Sequence, residues 1–230
     1  MFFDPIYLLF LAPGMLLALW AQYRVHSAYQ EAGKIPVHTG MTGAQAADAM
    51  LRSAGVEGVR IEPVDGFMSD HYAPGEGVLR LSPGVYQQRS LAAVGIAAHE
   101  AGHAIQDATR YPLMSLRNGL VPMAAFGGNT AWILIFLGFM LHMFGLILVG
   151  IAVFSLTVVF QLVNLPVEFD ASRRARIALV DGGLITSEED QVVAKVLNAA
   201  ALTYVAATLT SVLTLLYFLF RSGLLGGRNN

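Results

Sequence analysis

The sequence contains no cysteine. This excludes disulfides, a thiolate nucleophile and any Cys-ligated metal, so a metal ion would have to be held by histidines and carboxylates. Either redox compartment suits such a chain. Charge is also scarce. Asp, Glu, Lys and Arg together make up 13% of the 230 residues, with a formal net charge of -2. That balance gives no reason to expect a nucleic-acid partner, and no polybasic run is present to tether the chain to anionic lipid. Hydrophobic residues fill the place of the missing charge, at 55% of the chain with a mean hydropathy of +0.57. An ordinary soluble domain is far less apolar. The composition is that of a membrane protein with the lipid bilayer as its surroundings.

The apolar residues are gathered into long runs. Ile6 to Gln22 is uncharged and near the lower length limit for a membrane helix, with Trp20 and Tyr23 placed as interfacial anchors. No Lys or Arg precedes it, only Asp4, and bulky Leu19 stands where a cleavage site before Gln22 needs a small residue. The run therefore reads as a retained anchor over residues 1–23, not as a signal peptide. Residues 119–163 form a second uncharged tract, 45 residues long. At about 20 residues per span this predicts two membrane helices within 118–164, joined near Leu141-His142-Met143. Asn129, beside Gly127 and Gly128, reads as a helix-packing residue, while His142 and Gln161 fall where they can meet the interface. Ala199 to Phe220 predicts a fourth span, 199–221, followed by a Gly-rich tail at 222–230. Of the fourteen Lys and Arg residues, only Arg221 and Arg228 lie outside the polar segments 24–117 and 165–198. The positive-inside rule then puts both segments in the cytoplasm and both termini outside.

Within 24–117, Thr42-Gly-Ala-Gln45 has capping-box spacing and leads a helix that Gly55 stops. Gly58 to Val64 and Gly77 to Ser82 alternate apolar and polar residues, predicting two short strands joined by the turn-rich stretch Asp65 to Gly75. Ser82-Pro83 is an N-cap followed by proline at the first helical position, and Ser90 can cap the helix after it. A strand edge at this place either binds an extended peptide by main-chain pairing or is an ordinary structural hairpin.

The helix led by Ser90 carries His99-Glu100-Ala101-Gly102-His103 after a run of Ala, Val, Ile and Gly. Residues four apart share a helix face, so His99 and His103 can offer imidazole nitrogens to one metal ion with Glu100 beside the open position. This is the pattern of zinc hydrolases. Zinc with three protein ligands lowers the pKa of its bound water towards about 7, and a neighbouring carboxylate, here Glu100, can act as general base as that water attacks a carbonyl. The third ligand is sought in Asn164-Leu-Pro-Val-Glu-Phe-Asp-Ala-Ser-Arg-Arg-Ala-Arg176, because two spans return the chain to the face it left. Pro166 fits the first turn of a new helix with Glu168 just inside it, and Asp170 is the other carboxylate available. Thr186-Ser-Glu-Glu189 repeats the capping-box form before a helix with Val192, Val193, Val196 and Leu197 on one face.

These segments together resemble the bacterial membrane-bound neutral zinc metallopeptidase family, and are more distantly similar to membrane gluzincins such as the heat-shock membrane protease and the prenyl-protein endopeptidase. The resemblance runs through the anchor, His-Glu-Ala-Gly-His-Ala-Ile-Gln106, the two spans, Leu165-Pro-Val-Glu-Phe-Asp-Ala-Ser-Arg-Arg-Ala175 and Leu197-Asn-Ala-Ala-Ala-Leu-Thr-Tyr-Val205. It implies His99 and His103 as zinc ligands, Glu100 as base and Glu168 as third ligand. It departs from the gluzincins at Ser172, where they usually carry an aspartate that orients a ligand histidine; either Asp170 or a backbone carbonyl is expected to take that role, or the site is tuned differently. The implied architecture is mostly α, a polytopic membrane protein with four transmembrane helices and a zincin-like domain, active-site helix plus small β-sheet, at the membrane surface. The implied activity is zinc-dependent endopeptidase action on membrane-associated or unfolded polypeptide. His71, Tyr72 and Arg173 are candidate oxyanion donors. Two other readings compete. One is a site-2-type intramembrane protease using Asp181-Gly182, which the arginines at 173, 174 and 176 argue against by separating Asp181 from the bilayer. The other is a non-catalytic zinc-binding membrane scaffold, against which stand three good ligands and a base instead of a fully ligated site.

Overall fold

A computed structural model describes residues 5–225. In chain order the elements are α1 (Pro5–Gly33), α2 (Gly43–Ser53), β1 (Arg60–Pro63), β2 (His71–Ala73), β3 (Val78–Leu81), α3 (Pro83–Tyr86), α4 (Leu91–Ala108), α5 (Pro112–Met140), α6 (Phe144–Asp181) and α7 (Ser187–Arg221). Four of them, α1, α5, α6 and α7, are long and apolar enough to cross a membrane. Asp4, Arg228 and the end of the Gly-rich tail lie outside the described residues.

The chain divides into two compact units. Of the described residues, one takes 5–21, Leu116–Leu165 and 202–225. Its core is Ala131, Ile135, Ile147, Ile151, Phe154, Val158, Tyr217 and Phe218, with Trp132 edge-on to Phe218 at 5.0 Å. Small residues let its backbones come close: a Cβ on Gly150 would stand 3.0 Å from the Ile135 nitrogen. Its hydroxyls turn back on their own helices, Thr210 to Ala206 O and Thr214 to Thr210 O. No polar hydrogen need then face lipid at these positions.

The other unit comprises Gln22–Ser115 and Pro166–Ala201. Its centre is α4, buried on nearly every face from Leu91 to Gln106, which explains the run of Ala, Val and Gly that the sequence places there. Ser90 caps it, its Oγ accepting from Ala93 N at 3.3 Å. Thr42 and Gln45 form the expected capping box on α2, and Thr186 and Glu189 form one at the start of α7. The sheet order is β1-β3-β2, with β1 parallel and β2 antiparallel to β3.

Three sequence expectations are corrected. The stretch Asp65 to Gly75 is not only turn: it holds β2, so β1 and β3 are not hairpin partners but parallel neighbours. Three residues, His71-Tyr72-Ala73, are too few for alternation to show. Pro166 does not start a new helix. It lies inside α6, which runs unbroken past Glu168 to Asp181, so neither Glu168 nor Asp170 stabilises a helix N-terminus. Proline in a membrane helix is tolerated where neighbouring groups take up the freed carbonyl. Ser82 does precede Pro83 as expected, but its hydroxyl bonds to Asp70 and caps nothing.

Candidate metal centre

Helix periodicity sets His99 and His103 on one face of α4, and α6 crosses that face with Glu168. The ligand atoms of the three residues all lie within 4.8 Å of one another. Glu168 Oε2 is 3.3 Å from His99 Nε2 and 3.4 Å from His103 Nε2. Asp170, the other carboxylate weighed from sequence, is outside this group. It accepts from Gln106 and is paired with Arg173 and Arg174.

Close approach of the two helices depends on Gly102. A Cβ there would stand 2.7 Å from the Ala171 carbonyl oxygen, a backbone atom that cannot swing aside. Gly102→Ala should therefore push α6 away, destabilising the protein by roughly 1–3 kcal/mol and moving Glu168 off the histidines. A lowered thermal midpoint together with weaker zinc binding in detergent checks this; unchanged zinc affinity would contradict it.

The outer nitrogens of both imidazoles are occupied. His99 Nδ1 is 3.1 Å from Ser172 Oγ, so the serine at the departure from the gluzincin pattern is itself the group that orients His99, in place of Asp170 or a carbonyl. His103 Nδ1 lies 3.0 Å from Gln106 Oε1. The fully buried Gln106 has its amide orientation fixed, because Nε2 donates to Val167 O at 2.8 Å and to Asp170 Oδ2 at 3.0 Å. Oε1 must then accept, His103 must carry its proton on Nδ1, and Nε2 is left with its lone pair towards Glu168. The sequence pattern alone assigns Gln106 no role. Its signal was its place three residues after His103, on the same helix face. Gln106→Ala should lower zinc affinity about 10–100-fold, the usual cost of losing a group that orients a ligand. Competition with a chelator measures it.

Whether these residues suit a metal can be judged from the buried carboxylate. Glu168 is 3% exposed, and its Oε2 has no hydrogen-bond partner. Burial pushes its carboxyl up, but the two imidazoles pull it further the other way, well below the usual carboxylate range. Burial likewise opposes charge on His103, and Glu168 outweighs it, so its pKa is raised. Two imidazole nitrogens and one anionic oxygen within 4.8 Å of one another fit a divalent cation, and an N2O set fits zinc.

Glu100 lies next to this cluster on α4. Its Oε2 accepts from the Tyr72 backbone N–H at 3.0 Å, which joins α4 to β2, one of the two edge strands. The Tyr72 hydroxyl donates to Asp107 Oδ2 at 3.0 Å, one further attachment of β2 to α4. Burial and that bond to Asp107 push the phenol pKa up to about 12. Asp70, just before β2, accepts from Ser82 N at 2.8 Å and so ties the strand to the end of β3. Of the oxyanion candidates, Tyr72 gives its hydroxyl proton to Asp107, Arg173 is paired with Asp170, and His71 Nδ1 bonds to Ser69 O.

Comparison with known proteins gives the family. Residues 7–223 match a family described as "putative neutral zinc metallopeptidase". The chain belongs to this family. A curated relative from Bacillus subtilis (strain 168), named "putative membrane protease YugP", is 44% identical over 202 residues, covering 88% of this chain and 90% of that protein. No solved structure matches. Family membership, the membrane-protease relative and four apolar helices make this a multi-pass membrane protein of a zinc metallopeptidase family.

Proposed function

We propose that the protein is a zinc endopeptidase in which His99, His103 and Glu168 hold the metal and Glu100 is the general base, acting on membrane-associated or unfolded polypeptide. The observation that carries this reading is the convergence of two imidazole Nε2 atoms on the buried Glu168 Oε2, which has no hydrogen bond, with Glu100 next to His99 on α4. Zinc, when bound, supplies Lewis acidity that brings the pKa of water towards about 7 and polarises the scissile carbonyl. Glu100 takes a proton from the attacking water and hands it to the leaving amine nitrogen, so that one peptide bond and one water become a carboxylate and an amine. The Tyr72 N–H holds Glu100 in place before this transfer.

The substrate reading follows from β2. This strand is one of the two edge strands of the sheet, and main-chain pairing of an extended chain along such an edge, beyond the Tyr72 N–H that Glu100 takes, asks little of the substrate sequence. A peptide lying along β2 passes beside Glu100, because the same strand is bonded to that carboxylate. The relative's printed name, a membrane protease, supports a substrate in or at the bilayer. The distribution of Arg and Lys supports a cytoplasmic position for the segments 24–117 and 165–198, which carry the site.

The test is cleavage of an unfolded, membrane-tethered reporter polypeptide by the purified protein in lipid vesicles. Hydrolysis that stops on chelation and returns with added zinc is expected. A well-folded, zinc-loaded protein that cleaves neither tethered nor free unfolded chains would favour the scaffold reading instead.

A further inference from the structure

The inward face of α5 is accounted for: Gly127, Ala131, Ile135 and Gly138 are buried, and Gly138 and Ile135 meet Ile147 and Gly150 of α6. Its opposite face is not. Gly119, Pro122, Phe126, Asn129, Ile133, Phe136 and Met140 are all exposed. They succeed one another at alternating steps of three and four residues, the spacing of a seam between two parallel helices that coil left-handed about each other. Asn129 sits near the middle of this span and is its one strongly polar side chain. Among the described residues its amide has no hydrogen-bond partner.

An amide turned towards hydrocarbon has no water to bond with, so a partner group must come from another membrane-embedded segment. We propose that this face of α5 is where a second copy of the chain docks, with Asn129 of each copy bonded to Asn129 of the other. Three considerations select that occupant. An asparagine amide carries both donors and an acceptor, so its best complement is another amide. All copies of a membrane protein are inserted in the same sense, so a closed pair is related by a two-fold axis along the bilayer normal, and equivalent residues meet at equal depth. Finally, a single polar residue in an otherwise apolar seam sets the register and number of strands in a helical pair. Gly119 lets the two backbones approach at one end, while Phe126, Ile133, Phe136 and Met140 supply the apolar contacts elsewhere.

The full chain, labelled with donor or acceptor dyes and reconstituted in lipid vesicles, tests this by energy transfer as the lipid-to-protein ratio is raised. Wild type is expected to self-associate. Asn129→Leu should weaken association about tenfold or more, and Asn129→Gln, which keeps the amide, should stay within about threefold of wild type. Zinc content equal to wild type shows that each variant is folded. Because the chain lacks cysteine, Ile133→Cys and Thr130→Cys give clean probes: mild oxidation should link copies through position 133 and not through position 130. Three results would overturn the proposal. They are a monomeric wild type at every ratio, undiminished association of Asn129→Leu, or linkage of Ile133→Cys only to a co-reconstituted membrane-spanning polypeptide bearing a cysteine. The last would assign the face to substrate.

Discussion

Glu100→Gln is expected to lower the rate of peptide hydrolysis by about 10³-fold while the protein keeps about one zinc per chain. The substitution changes the shape of the side chain little, and its amide oxygen can still accept from the Tyr72 N–H, so β2 should stay in place. What it removes is the ability to take a proton from water. Rate and metal content must be read on the same preparation. Loss of zinc along with activity would make Glu100 a ligand, and full activity would remove it from the chemistry altogether.

Glu168→Ala should abolish zinc binding, leaving below about 0.1 zinc per chain after dialysis, because two neutral imidazoles alone make a weak, uncharged site. Asp170→Ala makes a sharp contrast. Asp170 reaches the site only through Gln106 and His103, so its loss should cost about 10–100-fold in affinity and leave the stoichiometry intact at saturating zinc. Elemental analysis of the two variants against wild type reads both effects. Zinc kept in Glu168→Ala and lost in Asp170→Ala would transfer the third-ligand role to Asp170.

These two carboxylates also show what could be read from sequence and what could not. The His99, Glu100 and His103 set was legible because one helix brings the residues together, and helix geometry is local. Glu168 lies 65 residues after His103. Nothing local connects the two, so its choice over Asp170 leaned on a family resemblance. The crossing that brings α6 to α4 was hidden in two small residues, Gly102 and Ala171, whose fit is a matter of packing. Pro166 misled for a physical reason: it suits a helix start, yet it sits inside α6. Ser172 looked like a gap in a familiar pattern, but at 3.1 Å from His99 Nδ1 its hydroxyl fills that place. The capping residues Thr42, Ser90 and Thr186 were legible for the same local reason as the histidines, whereas β2 owes its existence to pairing with β3 and to its attachments on Glu100 and Asp107.

The central claim, that one metal ion joins α4 to α6, is tested most directly by zinc K-edge X-ray absorption on the purified, zinc-loaded wild type. The account predicts a first shell of nitrogen and oxygen only, at about 2.0–2.2 Å, with the outer-shell scattering of two imidazoles and one carboxylate. A shell with three or more imidazoles, or well-folded protein that takes up no zinc when it is supplied, would contradict it.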